Sequence, residues 1–249
     1  MPREAIGAVL AISPSALDTW SRCRRQFLLR SLLRIPRSDP GPSAAEGNFA
    51  HDLLRHIHKT GSCRDDDHVL DVLAGHGKSE DPLARGYVER HRRRCPPEFE
   101  AQDHEWPVAR FHRVGMFMAT GRLDALWRHD GIYDVRDYKT GRPMVDRLAD
   151  DPRARLQAWL VAERAARRGL RVRVRYEYLA PEVDDDPEPF EPDDDDLVAI
   201  ESELLETVRS MRAEEAWIGV AEREICRHCE YHSICPDSAT PGEPSWPTP

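Results

Sequence analysis

Two runs with strand character, Phe117 to Arg128 and Ile132 to Lys139, flank the segment His129-Asp130-Gly131. An Asp-Gly pair favours a two-residue type I′ turn, because both central positions take positive φ. With Asp130 and Gly131 as the turn, residue 129 faces 132, and counting back sets Asp124 opposite Asp137 and Arg122 opposite Lys139. Side chains alternate along a strand, so Asp137 and Lys139 share one face, with Asp124 on the same face of the neighbouring strand. Two apposed carboxylates repel and weaken a sheet. The pair therefore needs a cation between its members, or bases beside it, and Arg122 and Lys139 are placed to be those bases. On these residues alone, a metal site and a surface ion-pair cluster both remain open.

The elements around this hairpin indicate a mixed α/β (α+β) chain. Ser13-Pro14 reads as an N-cap followed by proline at the first helical position, opening a helix with Leu17, Trp20, Phe27, Leu28 and Leu32 on its apolar face and an end near Arg34-Ile35-Pro36. Residues 37–43 read as a loop. A second helix is expected over 44–59, and two more within 68–94. A strand from Trp106 to Phe111 precedes the hairpin. A helix over 152–168, a strand from Val172 to Leu179 and a helix from Leu197 to Met211 follow it. The acidic, proline-rich stretch 181–196 reads as a solvated loop, and 237–249 as a disordered tail.

A net charge of −9 opposes a polyanionic partner only when its distribution is ignored. Ten acids lie between Glu182 and Asp196 with no base among them, and the rest of the chain is near neutral. Arginines cluster at Arg22, Arg24, Arg25, Arg30 and Arg34, at Arg90, Arg92, Arg93 and Arg94, and at Arg164, Arg167, Arg168, Arg171, Arg173 and Arg175. Such clusters permit phosphate binding without requiring it. No apolar run reaches membrane-spanning length. The run Ala5 to Ile12 lacks the basic flank and cleavage site of a signal peptide. A cytoplasmic, reducing location is the default expectation, in which six cysteines serve as metal ligands or core residues rather than disulfides.

Gly121-Arg122-Leu123-Asp124 followed by Asp137-Tyr138-Lys139-Thr140-Gly141 resembles the core motif of the PD-(D/E)XK nucleases, in the form found in RecB-like exonucleases. The resemblance implies a restriction-endonuclease-like core, a central mixed sheet flanked by helices, in which Asp124 and Asp137 hold Mg²⁺ or Mn²⁺ with the main-chain carbonyl of Tyr138, and Lys139 serves the attacking water. Gly47-Asn48-Phe49-Ala50-His51 resembles the Gly-x-x-x-His element of that branch, whose histidine completes the metal site. Leu156-Gln157-Ala158-Trp159-Leu160 resembles its Gln-x-x-x-Tyr helix, although Val161 stands at the tyrosine position. Gln157 would orient substrate or Lys139; without the resemblance it reads as an exposed helical residue.

Cys226-x2-Cys229-x5-Cys235 is a compact ligand set that needs a fourth thiolate to complete a cubane cluster or a structural zinc site. Cys23, Cys63 and Cys95 are the candidates. Trp20-Ser21-Arg22-Cys23-Arg24-Arg25-Gln26-Phe27 resembles the first helix of the iron–sulfur nucleases: the CRISPR-associated adaptation nucleases, the AddB nuclease domain and the nuclease domain of the Dna-type helicase-nucleases. There, one N-terminal and three C-terminal cysteines bind a [4Fe–4S] cluster. The resemblance therefore joins the segments 13–34 and 222–236 through Cys23, Cys226, Cys229 and Cys235, within one nuclease domain spanning 1–236. Zinc is the alternative at these thiols, and Cys63 and Cys95 carry no assignment.

The activity implied is metal-dependent hydrolysis of DNA, as an exonuclease in repair, recombination or processing. Single-stranded or duplex ends would be the substrate, with a separate helicase or CRISPR adaptation proteins as partners and no membrane. No Gly-x-x-x-x-Gly-Lys-Ser/Thr loop is present in this sequence, and the chain is expected to act alone, with a separate motor or in CRISPR spacer processing. The competing readings are an inactive DNA-binding or scaffold protein with a retained nuclease fold, and a zinc-stabilised interaction module.

Overall fold

The computed structural model describes residues 9–36, 42–96, 101–141, 145–180, 183 and 185–240. Most of the expected 37–43 loop and the tail from 241 onward lie outside them. The chain forms two compact units, one of Met1–Pro40, Ala109–Thr120 and Glu201–Pro249, the other of Gly41–Val108 and Gly121–Ile200.

The second unit carries the hairpin. Strand β3 (Phe117–His129), which enters from the first unit, pairs antiparallel with β4 (Ile132–Lys139) from His129↔Ile132 to Ala125↔Arg136. Asp130 (φ 50°) and Gly131 (φ 72°) form the turn, so the register is the one the Asp-Gly pair predicts. β5 (Arg171–Tyr178) adds to β4 in parallel, and β2 (Ala101–His112) pairs with β3. The parallel crossover from β4 to β5 is made by α6 (Pro152–Ala166), whose start is set by Asp151: its carboxylate accepts from the main-chain N–H groups of Arg153 and Ala154.

Helices cover both faces of this mixed sheet. On one side, α3 (Pro42–Thr60), α4 (Asp66–Gly75) and α5 (Pro82–Arg94) bury Leu53, Ile57, Leu73, Tyr87 and Val88 against Trp127, Tyr138 and Leu179. Each such aliphatic side chain contributes ~1.5–3 kcal/mol on burial. On the other side, α6 packs on β4 and β5. Its residues Leu156 to Ala162 are all buried, which makes Gln157 a core residue rather than an exposed one.

In the first unit, the three-residue strand β1 (Leu10–Ile12) runs parallel to the first residues of β3, where the sequence suggests only an apolar run. The expected long first helix is broken. α1 (Pro14–Arg22) begins at the Ser13 cap, whose hydroxyl accepts from Ala16 N at 3.1 Å. Cys23 then turns extended, and its Sγ accepts from Gln26 N to start α2 (Arg24–Phe27), followed by a π-turn over Leu28–Leu32. The helical periodicity continues across the break because Trp20 and Phe27 pack on the same partner, Trp217. α7 (Asp194–Ala213) and the short α8 (Arg223–Cys226) complete the described elements.

The acidic stretch is not simply solvated. Phe190 is buried and exchanges two 2.8 Å main-chain hydrogen bonds with Val174. Glu191 pairs with Arg171 and Arg173, and Asp186 with Arg94. An aromatic among acids and prolines is enough to anchor the segment on β5. Among the described residues, no helix is long and apolar enough to cross a membrane.

Candidate active site

Six of the eight residues of β4 are buried, and Asp137 and Lys139 are the two that are not. They project from the end of the strand on the face that α6 covers. The described β3–β4 ladder stops one pair short of Asp124 and Asp137. At that point Asp124 Oδ2 accepts from Tyr138 N at 2.9 Å, so a carboxylate takes over a ladder bond and is held beside β4.

Each carboxylate is braced on a different side. Asp137 Oδ2 accepts from Gln157 Nε2 at 3.0 Å, and its Oδ1 is paired with the Lys139 ammonium. Lys139 Nζ lies 4.6 Å from the centre of the Tyr176 ring. The other Gln157 amide atom, Oε1, is buried without a hydrogen-bond partner among the described residues. On α3, His51 donates Nε2–H to the Tyr138 carbonyl at 2.8 Å and sets Nδ1 3.4 Å from Asp124 Oδ1. Gly47, one turn earlier, faces Thr140 Oγ1, which a side chain there would only just touch.

Burial, and then the Asp137 charge, push the Asp124 carboxyl above the usual carboxylate range. Burial disfavours the His51 cation, but the hydrogen bond and charge of Asp124, the Tyr138 carbonyl and the Asp137 charge together outweigh it, and the histidine titrates above its ordinary value. The centre thus holds more negative charge than its surroundings relieve, with oxygen and imidazole donors converging. The structure brings together His51, Asp124, Asp137, Tyr138, Lys139 and Gln157 as expected. It does not bring Arg122, which is exposed and pairs with Glu105 at 3.1 Å, leaving Lys139 as the base that offsets the acids.

A model of the PD-(D/E)XK nuclease superfamily matches residues 11–236. The chain belongs to that superfamily. Among solved structures, this PD-(D/E)XK protein is similar to SSO0001 (16% identity, 92% of this chain and 87% of the other, TM-score 0.43). It is also similar to a protein from Eubacterium rectale described as "Putative exonuclease" (9% identity, 86% and 85% covered, TM-score 0.48). No curated protein matches the sequence. Membership supports nuclease chemistry, with DNA as the class of substrate.

A second set of candidate ligands lies in the first unit. Cys23, Cys226, Cys229 and Cys235 line one small pocket, together with Gln26, Leu29, Ile225 and Tyr231. The break between α1 and α2 is what turns the Cys23 thiol into it. Cys229 is pushed up to about 11 by burial, with Cys23 and Cys235 adding to it. Ionising such a group of thiols calls for a cation among them. Gln26 and Arg30 tie α2 and the π-turn to Glu230, and the Tyr231 hydroxyl donates to Ile35 O, so the two cysteine-bearing segments are fastened without any ion.

The arginines expected to track phosphates are mostly engaged within the protein. Arg22 pairs with Asp18, Arg24 lies over Trp20, and Arg25 pairs with Asp237. Arg164 lies over Trp106, and Arg175 pairs with Asp134.

Proposed function

We propose that this chain is a metal-dependent DNA exonuclease of the RecB-like, iron–sulfur branch, and that His51, Asp124, Asp137 and the Tyr138 carbonyl form its metal site. The carrying observation is the convergence of two carboxylates, one main-chain oxygen and one imidazole at the end of β4, with a single lysine to offset them. Oxygen-rich sites of this kind suit small, hard divalent ions such as Mg²⁺ or Mn²⁺. Such an ion, when bound, makes its water a stronger nucleophile and stabilises charge on phosphoryl oxygens.

The remaining work falls to the protein. Lys139 presents positive charge beside Asp137, where it stabilises an attacking hydroxide and the crowded charge of the phosphorane. Gln157 fixes the rotamer of Asp137 from the buried face of α6, and its free Oε1 is available to orient Lys139 or a water. His51 is oriented by its own hydrogen bond to Tyr138. Single-stranded DNA or duplex ends are the substrate, with a separate helicase or CRISPR adaptation proteins supplying them. The test incubates anaerobically purified protein with end-labelled linear single- and double-stranded DNA in Mn²⁺, Mg²⁺ or EDTA. Degradation with metal and none in EDTA is expected; intact DNA in every arm overturns the reading.

Cys23, Cys226, Cys229 and Cys235 are assigned to a structural [4Fe–4S] cluster. Four thiols brought to one cavity make the ligand set of such a cluster, with zinc as the alternative. Anaerobic protein should contain iron and acid-labile sulfide, and Cys229→Ser should lose most of both. Zinc without iron in the unmodified protein would overturn this assignment and leave the nuclease reading intact.

A further inference from the structure

Four residues without a place in the nuclease reading meet inside the second unit. His58 lies near the end of α3, and Cys63 follows in the next loop. His91 lies in the last turn of α5, and Cys95 caps it. The two pairs repeat a pattern, His-x4-Cys and His-x3-Cys. One ligand atom from each of the four falls within 4.8 Å of every other, and all four residues are buried. We propose that His58, Cys63, His91 and Cys95 hold a structural zinc ion.

The chemistry of the donors selects the metal. Two imidazole nitrogens and two thiolates around one point make the tetrahedral N₂S₂ set preferred by zinc. Ligand atoms around such an ion lie roughly 3.3–3.8 Å apart, given bonds of ~2.0–2.3 Å. His58 Nε2 and His91 Nε2 are 2.6 Å apart, so the two rings already converge on one position and need separate only slightly. Two anionic sulfurs would neutralise the ion within the core.

The surroundings are organised as an outer layer of a metal site is. His91 donates Nδ1–H to Glu177 Oε1 at 2.6 Å, which leaves Nε2 as the lone-pair nitrogen facing the other three ligands. Glu177 is itself held by Arg136 at 3.1 Å. The carbonyls of Cys63 and Cys95 accept from Arg92 Nε at 2.6 Å and Arg64 Nη2 at 2.7 Å, so both cysteine backbones are fixed from outside.

Full burial and four protein ligands leave no open position for substrate, so the role is structural. The ion would clamp α3 to α5. His58 stands two helical turns beyond His51 on α3, so the clamp fixes the helix that presents His51 to Asp124 and Tyr138. The inference rests on this cluster alone and does not depend on the nuclease reading.

The deciding experiment is zinc K-edge X-ray absorption, with zinc counted by mass spectrometry, on the unmodified protein purified with zinc supplied during growth. One zinc per chain with two sulfur and two nitrogen neighbours is the expected result. Two zinc ions per chain averaging three sulfurs and one nitrogen supports it equally, the second ion being at the terminal cysteines. No zinc, or zinc with four sulfurs or any other ligand set, overturns it. In variants, Cys63→Ser/Cys95→Ser should lose one zinc per chain, and Cys226→Ser/Cys229→Ser should keep it. Should the first pair fail to fold, the measurement on the unmodified protein decides by itself.

Discussion

Asp137→Asn should reduce metal-dependent DNA cleavage by about 10³-fold while leaving the fold as stable as before. The first half follows from charge. A metal ion's stabilisation of a phosphoryl transition state is worth several kcal/mol, and each ~1.4 kcal/mol is a factor of ten in rate. Asp137 is also the partner of Lys139, so its loss misplaces the one base in the centre. The second half follows from what the carboxylate does to the resting protein. Asp137 faces the half-buried Asp124, whose titration is raised by burial first and by the Asp137 charge second. Removing its charge relieves that repulsion and sacrifices a part-exposed pair with Lys139, of the kind worth ~0–1 kcal/mol. Asparagine still offers Gln157 an oxygen to bond. The melting temperature in EDTA should therefore be unchanged or higher. A large fall in melting temperature alongside the lost activity would mean that Asp137 is a structural residue, and full activity would move the chemistry elsewhere.

This centre is largely legible in the sequence, because its geometry is set locally. One dipeptide fixes the β3–β4 register, and strand alternation then places Asp124, Asp137 and Lys139. What the register could not show is the end of the ladder, where the Asp124 carboxylate itself bonds to Tyr138 N, or the choice of Glu105 by Arg122. The break at Cys23 was hidden for a related reason. Apolar periodicity reports which side of a segment is buried, and Trp20 and Phe27 both meet Trp217 whether or not the helix between them is continuous. Most opaque was the cluster of His58, Cys63, His91 and Cys95. Its only local sign is a repeated His-to-Cys spacing, while its assembly depends on α3 and α5 packing side by side. The acidic stretch misleads similarly: composition shows the charges of residues 181–196, but not that Phe190 pins them to β5.

Charged residues on β4 carry the largest expected effect on stability. Asp134 and Arg136 alternate with Val135, and both are buried. Arg136 Nη2 bonds Asp134 Oδ2 at 2.9 Å, its Nη1 bonds Glu177 Oε2 and the Arg94 carbonyl, and its guanidinium lies 4.1 Å from the centre of a Trp127 ring. The acids keep their charge despite burial, because Arg136, Arg175 and His129 offset the desolvation at Asp134, and His91, then Arg136 and Arg94, offset it at Glu177. Arg136→Leu leaves two buried carboxylates short of their shared cation. Breaking a buried pair from one side costs ~3–5 kcal/mol, which for a chain of this size lowers the melting temperature by roughly 6–20 °C. Thermal unfolding in EDTA checks this, with Arg122→Leu, a change at an exposed arginine, as the comparison expected to stay within ~0.5 kcal/mol. Equal, small shifts for both variants would mean that the buried triad is dispensable. The expected contrast would show that the strand bearing Asp137 and Lys139 on one face is held in place by ion pairs on the other, so that its stability and its chemistry depend on different sides of the same eight residues.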